Sequence, residues 1–198
     1  MIEDIFNKIR EKLDIKNILR ENLLLKSRVI IQNCGKGIKN IHSQNLKEVE
    51  NIIEENKKLI KELISEIDNE NIEFLIKGNI NIVYQEFTEL ISLYSLLYKN
   101  TLISFEELEI PIEPYLFGLC DTIGELRRYC LDSIRKSKID EAERALAIMD
   151  ELFENLSSLN YPNGLLPNFR RKIDIARSVI EKTRGDVTMA WVMLGNKN

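Results

Sequence analysis

Residues 115–134 read Tyr115-Leu116-Phe117-Gly118-Leu119-Cys120-Asp121-Thr122-Ile123-Gly124-Glu125-Leu126-Arg127-Arg128-Tyr129-Cys130-Leu131-Asp132-Ser133-Ile134. Leu116, Leu119, Ile123, Leu126 and Cys130 recur at three- and four-residue steps, which line one face of an α-helix and do not fit the two-residue alternation of a strand. Asp121 and Glu125 are i, i+4 neighbours beside that seam, and Gly118 and Gly124 leave space near them. Pro114 suits the first turn of such a helix, so the spacing predicts a helix from about Pro114 to Ser137.

The same period extends in both directions. Ile2, Ile5, Phe6, Ile9 and Leu13, then Ile15, Ile18, Leu19 and Leu23, predict a first helix over 2–33 that can run on to about 43 despite Gly35 and Gly37. A second begins near Ser43 or Asn45, with Leu46, Val49, Ile53, Ile60, Leu63 and Ile67 as its stripe, and Asn69-Glu70-Asn71 ends it. A third covers about 71–99. Residues 101–114 form a connector, in which Ser104 can cap a turn at Phe105-Glu106-Glu107 and Pro111 and Pro114 forbid a continuous helix. A fifth helix over about 139–159 has Ser137 and Asp140 as possible caps. After the Asn160–Gly164 loop, Pro167 opens a sixth through Thr183, stopped by Gly185. Asp186 can then cap a short last helix carrying Val187, Ala190, Trp191 and Leu194. The fold class is all-α: one domain over residues 1–198, an antiparallel bundle of six to seven helices with short loops.

Composition agrees. Only 8 Gly and 4 Pro interrupt 198 residues, and 44% hydrophobic with 30% charged is a globular balance. The acidic Met1-Ile2-Glu3-Asp4 start is no signal peptide. The apolar run Leu90–Tyr98 is broken by serines and falls short of the roughly 20 residues of a membrane span. Cys34, Cys120 and Cys130 show no CxxC spacing, and one helix would hold the latter two roughly 15 Å apart, too far for a disulfide. Reduced thiols and no membrane segment point to a soluble, cytoplasmic protein. Exposed seams on several helices suggest an oligomer.

Charge is uneven. Residues 44–75 set four lysines against nine acids, whereas residues 16–39 set six Lys/Arg against Glu21 alone and residues 127–138 set five against Asp132. Solvated faces and a phosphate-binding surface are both compatible with that pattern.

His42 is the sole histidine, which excludes a Cys/His zinc site and a histidine-based nucleophilic triad. Gly35-Lys36-Gly37 is no phosphate loop. Chemistry, if present, runs on carboxylates. On the third helix, Ile82, Glu86, Glu89, Leu93 and Leu96 share one seam, so Glu86 and Glu89 project along an apolar line, where bare carboxylates are costly without a cation or strong donors. Facing pairs Glu86/Glu89 and Asp121/Glu125 can build an oxygen-ligand site for Mg²⁺ or Mn²⁺. They can equally be helix-surface acids in a chain with 32 Asp and Glu.

The 115–134 stretch resembles the YLxGxxDxxGELxRxCxxS segment of the translin/TRAX family, in its nuclease-bearing TRAX branch. Gln85-Glu86-Phe87-Thr88-Glu89 resembles that family's QExxE, Leu102-Ile103-Ser104 its connector, and Thr183-Arg184-Gly185 its C-terminal RG. Arg20 and Arg28 sit eight apart, as in its basic first helix. The resemblance spans nearly the whole chain. It implies a translin-like helical fold, RNA or single-stranded DNA as partner, and assembly into a homo-octameric shell with RNA and acids inside. It also implies Mg²⁺- or Mn²⁺-dependent endoribonuclease activity, with Glu86, Glu89, Asp121 and Glu125 as both metal-binding and catalytic residues. Arg20, Lys26, Arg28 and Arg128 are the RNA-binding candidates, although Leu25 and Ser27 depart from the family's pattern. Arg128 can steady a phosphate or a carboxylate, or form a structural ion pair. Tyr84, Phe87, Tyr94 and Tyr129 can stack bases or pack the core. Two further readings remain open: nucleic-acid binding without catalysis, and an all-α nucleotide pyrophosphatase, whose usual acidic cluster is not matched.

Overall fold

Six helices follow the apolar periodicities in chain order: α1 Ile2–His42, α2 Leu46–Glu70, α3 Glu73–Tyr98, α4 Ile112–Arg135, α5 Ile139–Ser158 and α6 Phe169–Gly195. The computed structural model describes residues 2–70 and 73–195, and among them there is no strand. Asn71, expected to close the second helix and open the third, lies outside the described residues. The side chain of Leu194 also lies outside them.

The central pair is α3 and α4. Helices α1 and α2 pack on the α3 side, while α5 and α6 pack on the α4 side. Leu90 and Leu93 of α3 and Ile123 and Leu126 of α4 are fully buried, and the other seam residues, Leu116, Leu119 and Cys130, are buried as well. Each such side chain contributes roughly 1.5–3 kcal/mol through its removal from water. Val49, Ile53, Ile60, Leu63 and Ile67 bury the α2 stripe as the spacing requires. Cys34, Cys120 and Cys130 are buried and unpaired.

Helix α1 runs through both glycines. Gly37 is where it meets α3: a Cβ there would stand 2.6 Å from a Leu90 methyl. The helix ends at His42, and Gln44 turns the chain in the left-handed region at φ 61°. The other end of α1 does not pack. Every residue from Ile2 to Ile18 is exposed, so the apolar line Ile2, Ile5, Phe6, Ile9 and Leu13 faces solvent.

Four boundaries differ from the sequence expectation. Helix α4 starts at Ile112, not Pro114, with Pro111 at its N-cap; a proline in the first turn forfeits no intrahelical hydrogen bond, so the helix can begin before it. Neither Ser137 nor Asp140 caps α5, whose N-cap is Lys138 without a side-chain bond. Ser137 instead closes α4, at φ 59° with its N–H donated to Ile134 O.

The remaining differences are on α6: Pro167 does not open it, since Asn168 stands in the left-handed region at φ 64° and the helix starts at Phe169, and Gly185 does not stop it, so Asp186 caps no new helix. Arg127 of α4 reaches Thr183 at 2.8 Å and Asp186 at 2.9 Å, tying α6 down on both sides of the glycine. That tertiary clamp outweighs a glycine's cost of about 1 kcal/mol in a helix. The connector behaves as expected: Ser104 and Glu107 exchange backbone-to-side-chain bonds at 3.0 and 3.2 Å, a reciprocal cap.

No helix among the described residues is long and apolar enough to cross a membrane.

Candidate functional site

The site is built where α3 and α4 touch backbone to backbone. A Cβ on Gly118 would lie 2.6 Å from the Gln85 carbonyl oxygen and 2.6 Å from the Thr88 Cβ. Only a residue without a side chain permits that approach. Gly118 therefore leaves no space near the acids but removes it, whereas Gly124 does face open space. Within this contact Gln85 Nε2 donates to Asp121 Oδ2 at 2.6 Å.

Glu86, Glu89, Asp121 and Glu125 act on one another as charges. Burial, then Asp121, Glu86 and Glu125 in that order, push the Glu89 carboxyl up to about 8, with Lys172 opposing. Burial and Asp121 also raise Glu86 above the usual carboxylate range. Glu125 goes the other way: its hydrogen bond from His42 holds it below that range, and Arg128 adds to the effect. The α3 seam is apolar on one side only, since Ile82 is 46% exposed while Leu93 is fully buried. Glu86 and Glu89 thus sit half-buried between solvent and core.

Three residues complete the site that the sequence reading did not assign. His42 Nε2, at the end of α1, lies 2.6 Å from Glu125 Oε2. Lys172 of α6 ion-pairs with Asp121 Oδ1. Gln85 was part of the quoted QExxE segment, but nothing in that motif points to Asp121. For His42 and Lys172 the sequence carries no signal beyond the residue types, because both meet their partners across the fold.

Oxygen donors from facing helices suit a hard divalent cation, and burial together with three neighbouring acids raises the Glu89 carboxyl to about 8, so its ionised form is disfavoured without a cation beyond Lys172. The donor set fits Mg²⁺ or Mn²⁺ in type and charge. Among the described residues no three His, Cys, Asp or Glu side chains already stand in a ligating arrangement. The reason is visible in the partners: Asp121 is turned to Gln85 and Lys172, and Glu125 to His42 and Arg128. A cation has to exchange with those contacts.

The nucleic-acid candidates are not gathered in one place. Arg128 belongs to the acid site, 3.4 Å from Glu125 through Nη1 and otherwise exposed. Arg20 pairs with Glu21 at 2.6 Å, Lys26 pairs with Glu66 of α2, and Arg28 is exposed. Cys34 marks the level of the acids on α1, since Glu86 and Glu89 both act on its thiol; measured from it, Arg28, Lys26 and Arg20 lie about 9, 12 and 21 Å towards the N-terminus. Ser27, one of the departures from the family pattern, is buried and donates to Leu23 O, so it faces the core. Tyr84, Phe87 and Tyr94 are buried, and Tyr129 packs partly buried with them in the core.

Comparison with known proteins follows the same lines. The family model described as the translin family matches residues 9–184. An uncharacterized protein of Methanocaldococcus jannaschii is 38% identical over 174 residues, covering 87% of this chain and 76% of that protein. The structure of AfC3PO in complex with duplex RNA superposes with a TM-score of 0.82 at 28% identity, over 95% of this chain and 97% of the other. Apo-NeC3PO shares the fold, with a TM-score of 0.83 at 23% identity over 93% and 96% of the two chains.

Proposed function

This chain belongs to the translin family, and from that premise we propose that it binds RNA and cleaves it endonucleolytically with Mg²⁺ or Mn²⁺ held by Glu86, Glu89, Asp121 and Glu125. One observation carries the cleavage half: four carboxylates from α3 and α4 share a half-buried site in which Glu89 is raised to about 8. The RNA half rests on the family and on the likeness to AfC3PO, which was solved with duplex RNA.

When bound, a divalent cation supplies stabilisation of the charge that develops on a phosphodiester during hydrolysis. The chain's own residues set the conditions for it. Gln85 fixes the rotation of Asp121, and His42 fixes that of Glu125 while keeping it ionised. Without metal, burial and the neighbouring acids raise Glu89 to about 8, so its carboxyl holds a proton that a bound cation would displace. Arg128 offers an exposed guanidinium at the rim to a phosphate oxygen.

The assembly we propose is a homo-octamer of translin-like single-domain chains, supported by the exposed apolar line on α1 and by Met189, Trp191, Val192 and Met193 near the end of α6. Three buried, unpaired cysteines suit the cytoplasm.

The test is cleavage of a fluorescent RNA in Mg²⁺ and in EDTA, beside binding measured at several salt concentrations. Glu89→Ala and Asp121→Ala should abolish product yet keep salt-dependent binding. Wild-type cleavage rates in either variant would falsify the mechanism. A second reading, binding of single-stranded RNA or DNA without catalysis, is favoured by the engagement of Asp121 and Glu125 with other side chains; it requires that no product forms in Mg²⁺ or Mn²⁺.

A further inference from the structure

Helix α6 contributes one charge to the acid site, and the packing around it is specific. Phe169, Ile173 and Ala176 bury the inner face of α6. Lys172, one step off that face, passes its stem beside the Phe117 ring, with Nζ 5.9 Å from the ring centre, and ends on Asp121 Oδ1. Phe117 is itself propped by Phe169, ring centres 6.2 Å apart. The Lys172 side chain is 30% exposed and that of Asp121 29% exposed, so the pair is partly shielded from water.

Charge balance gives this placement a consequence. Glu125 has its own partners in His42 and Arg128. The remaining acids, Glu86, Glu89 and Asp121, all feel Lys172, which is the cation that lowers Glu86 and Glu89 against their burial. Of these acids Lys172 ion-pairs with Asp121, through the oxygen that Gln85 leaves open.

We propose that Lys172 is the site's tethered counter-cation, holding the place at Asp121 that a divalent cation takes, so that metal binding displaces its ammonium. The proposal rests on the metal-site reading above. It makes Lys172 a positioning residue with two opposed effects. Without metal, the ammonium keeps the three acids from repelling one another across the α3–α4 contact. With metal, it competes for the same oxygen and weakens affinity, because a unit charge a few ångströms from a divalent ion is repelled strongly in a poorly hydrated site.

The test is Mn²⁺ titration calorimetry on metal-stripped full-length protein, beside thermal unfolding in EDTA and in Mn²⁺. Lys172→Met keeps the stem over Phe117 and removes the charge; Lys172→Arg keeps the charge. Lys172→Met should bind Mn²⁺ about tenfold more tightly than wild type, unfold at a lower temperature in EDTA, and gain more from Mn²⁺. Lys172→Arg should follow the wild type. Unchanged or weaker Mn²⁺ binding by Lys172→Met overturns the proposal. Should that variant fail to fold in EDTA, recovery by Mn²⁺ at constant ionic strength supports it, and failure to recover overturns it. Absence of Mn²⁺ binding by the wild type overturns the metal-site reading itself, an outcome read from the wild-type titration alone.

Discussion

His42 and Glu125, 83 residues apart in the chain, meet at 2.6 Å between Nε2 and Oε2. The His42 side chain is only 6% exposed and its Nδ1 is buried without a hydrogen-bond partner. The single imidazole of the protein therefore has one attachment, and that attachment is a carboxylate of the candidate site. It joins the last turn of α1 to the middle of α4 and decides which way Glu125 faces.

Removing that attachment should raise the Glu125 carboxyl and cost stability. His42 is the largest cause of the depressed Glu125 value. A depressed carboxylate stabilises the fold above its unfolded pKa, and that contribution is lost as pH falls through the folded one. Wild type should therefore lose stability towards acid more steeply than His42→Ala, and His42→Ala should be about 1–3 kcal/mol less stable at pH 7. Urea unfolding at pH 7 and pH 3.5 checks this. Equal acid sensitivity of the two proteins would show that the pair does not couple to folding.

The contrast between Glu125 and its partner shows where sequence reasoning stops. Within a helix the period fixes which side chains share a line, so Leu116 to Cys130, and Asp121 beside Glu125, were readable from the residues. The expected pairing of the Glu86/Glu89 helix with the Asp121/Glu125 helix also holds, because elements consecutive in the chain tend to be neighbours in space. What joins distant helices was not readable. Lys172 lies 51 residues from Asp121 and Arg127 lies 56 from Thr183. The same limit explains α6: Gly185 looks like a stop by local rules, and contacts across the fold override it, the Arg127 clamp from α4 and the burial of Val187 against Cys130, Ala142 and Ala145. Ser137 was misassigned for a related reason. A serine between two helices can cap the second or close the first, and its left-handed φ of 59° settles it for the first.

Glu89 gives the opposite pH dependence to Glu125. Its carboxyl is raised to about 8, so the stability it contributes is fully present below its unfolded pKa and lost as pH rises through about 8. Metal-free wild type should therefore be less stable at pH 9 than at pH 6, by a few kcal/mol. Glu89→Gln, neutral throughout, should show a much flatter dependence over that range. Chemical denaturation in EDTA at the two pH values measures it. A wild type and Glu89→Gln that decline in parallel would remove Glu89 as the cause.

The two α4 glycines should respond to alanine with opposite signs. At Gly118 the new Cβ meets the Gln85 backbone oxygen and the Thr88 Cβ, both at 2.6 Å. Neither is the free end of a flexible chain, so α3 and α4 must part, at about 1–3 kcal/mol. The Gln85–Asp121 bond should suffer with them. At Gly124 nothing lies within 4 Å, so alanine should raise stability by up to about 1 kcal/mol through helix propensity. Thermal unfolding of the two variants, with helical content followed by circular dichroism, tests the pair. Destabilisation by Gly124→Ala would mean that its open face is covered by something else in the assembly.

That last possibility bears on the N-terminal segment of α1. From Ile2 to Ile18 every residue of the helix is exposed, and Ile2, Ile5, Phe6, Ile9 and Leu13 carry an apolar line of about three turns, each residue 46% exposed or more. An isolated helix of that length is marginal in water, and an exposed apolar line is unfavourable unless something covers it. Acids and bases are evenly mixed on the segment, with Glu3, Asp4, Glu11 and Asp14 against Lys8, Arg10, Lys12 and Lys16, so apolar contact rather than net charge is the available driving force. If copies of this chain cover one another there, Phe6→Asp combined with Ile9→Asp should reduce the assembled mass by light scattering. The α2–α6 core should keep its cooperative unfolding, because none of the segment's side chains belongs to it. An assembly of unchanged mass in the double variant would rule out this line as the contact.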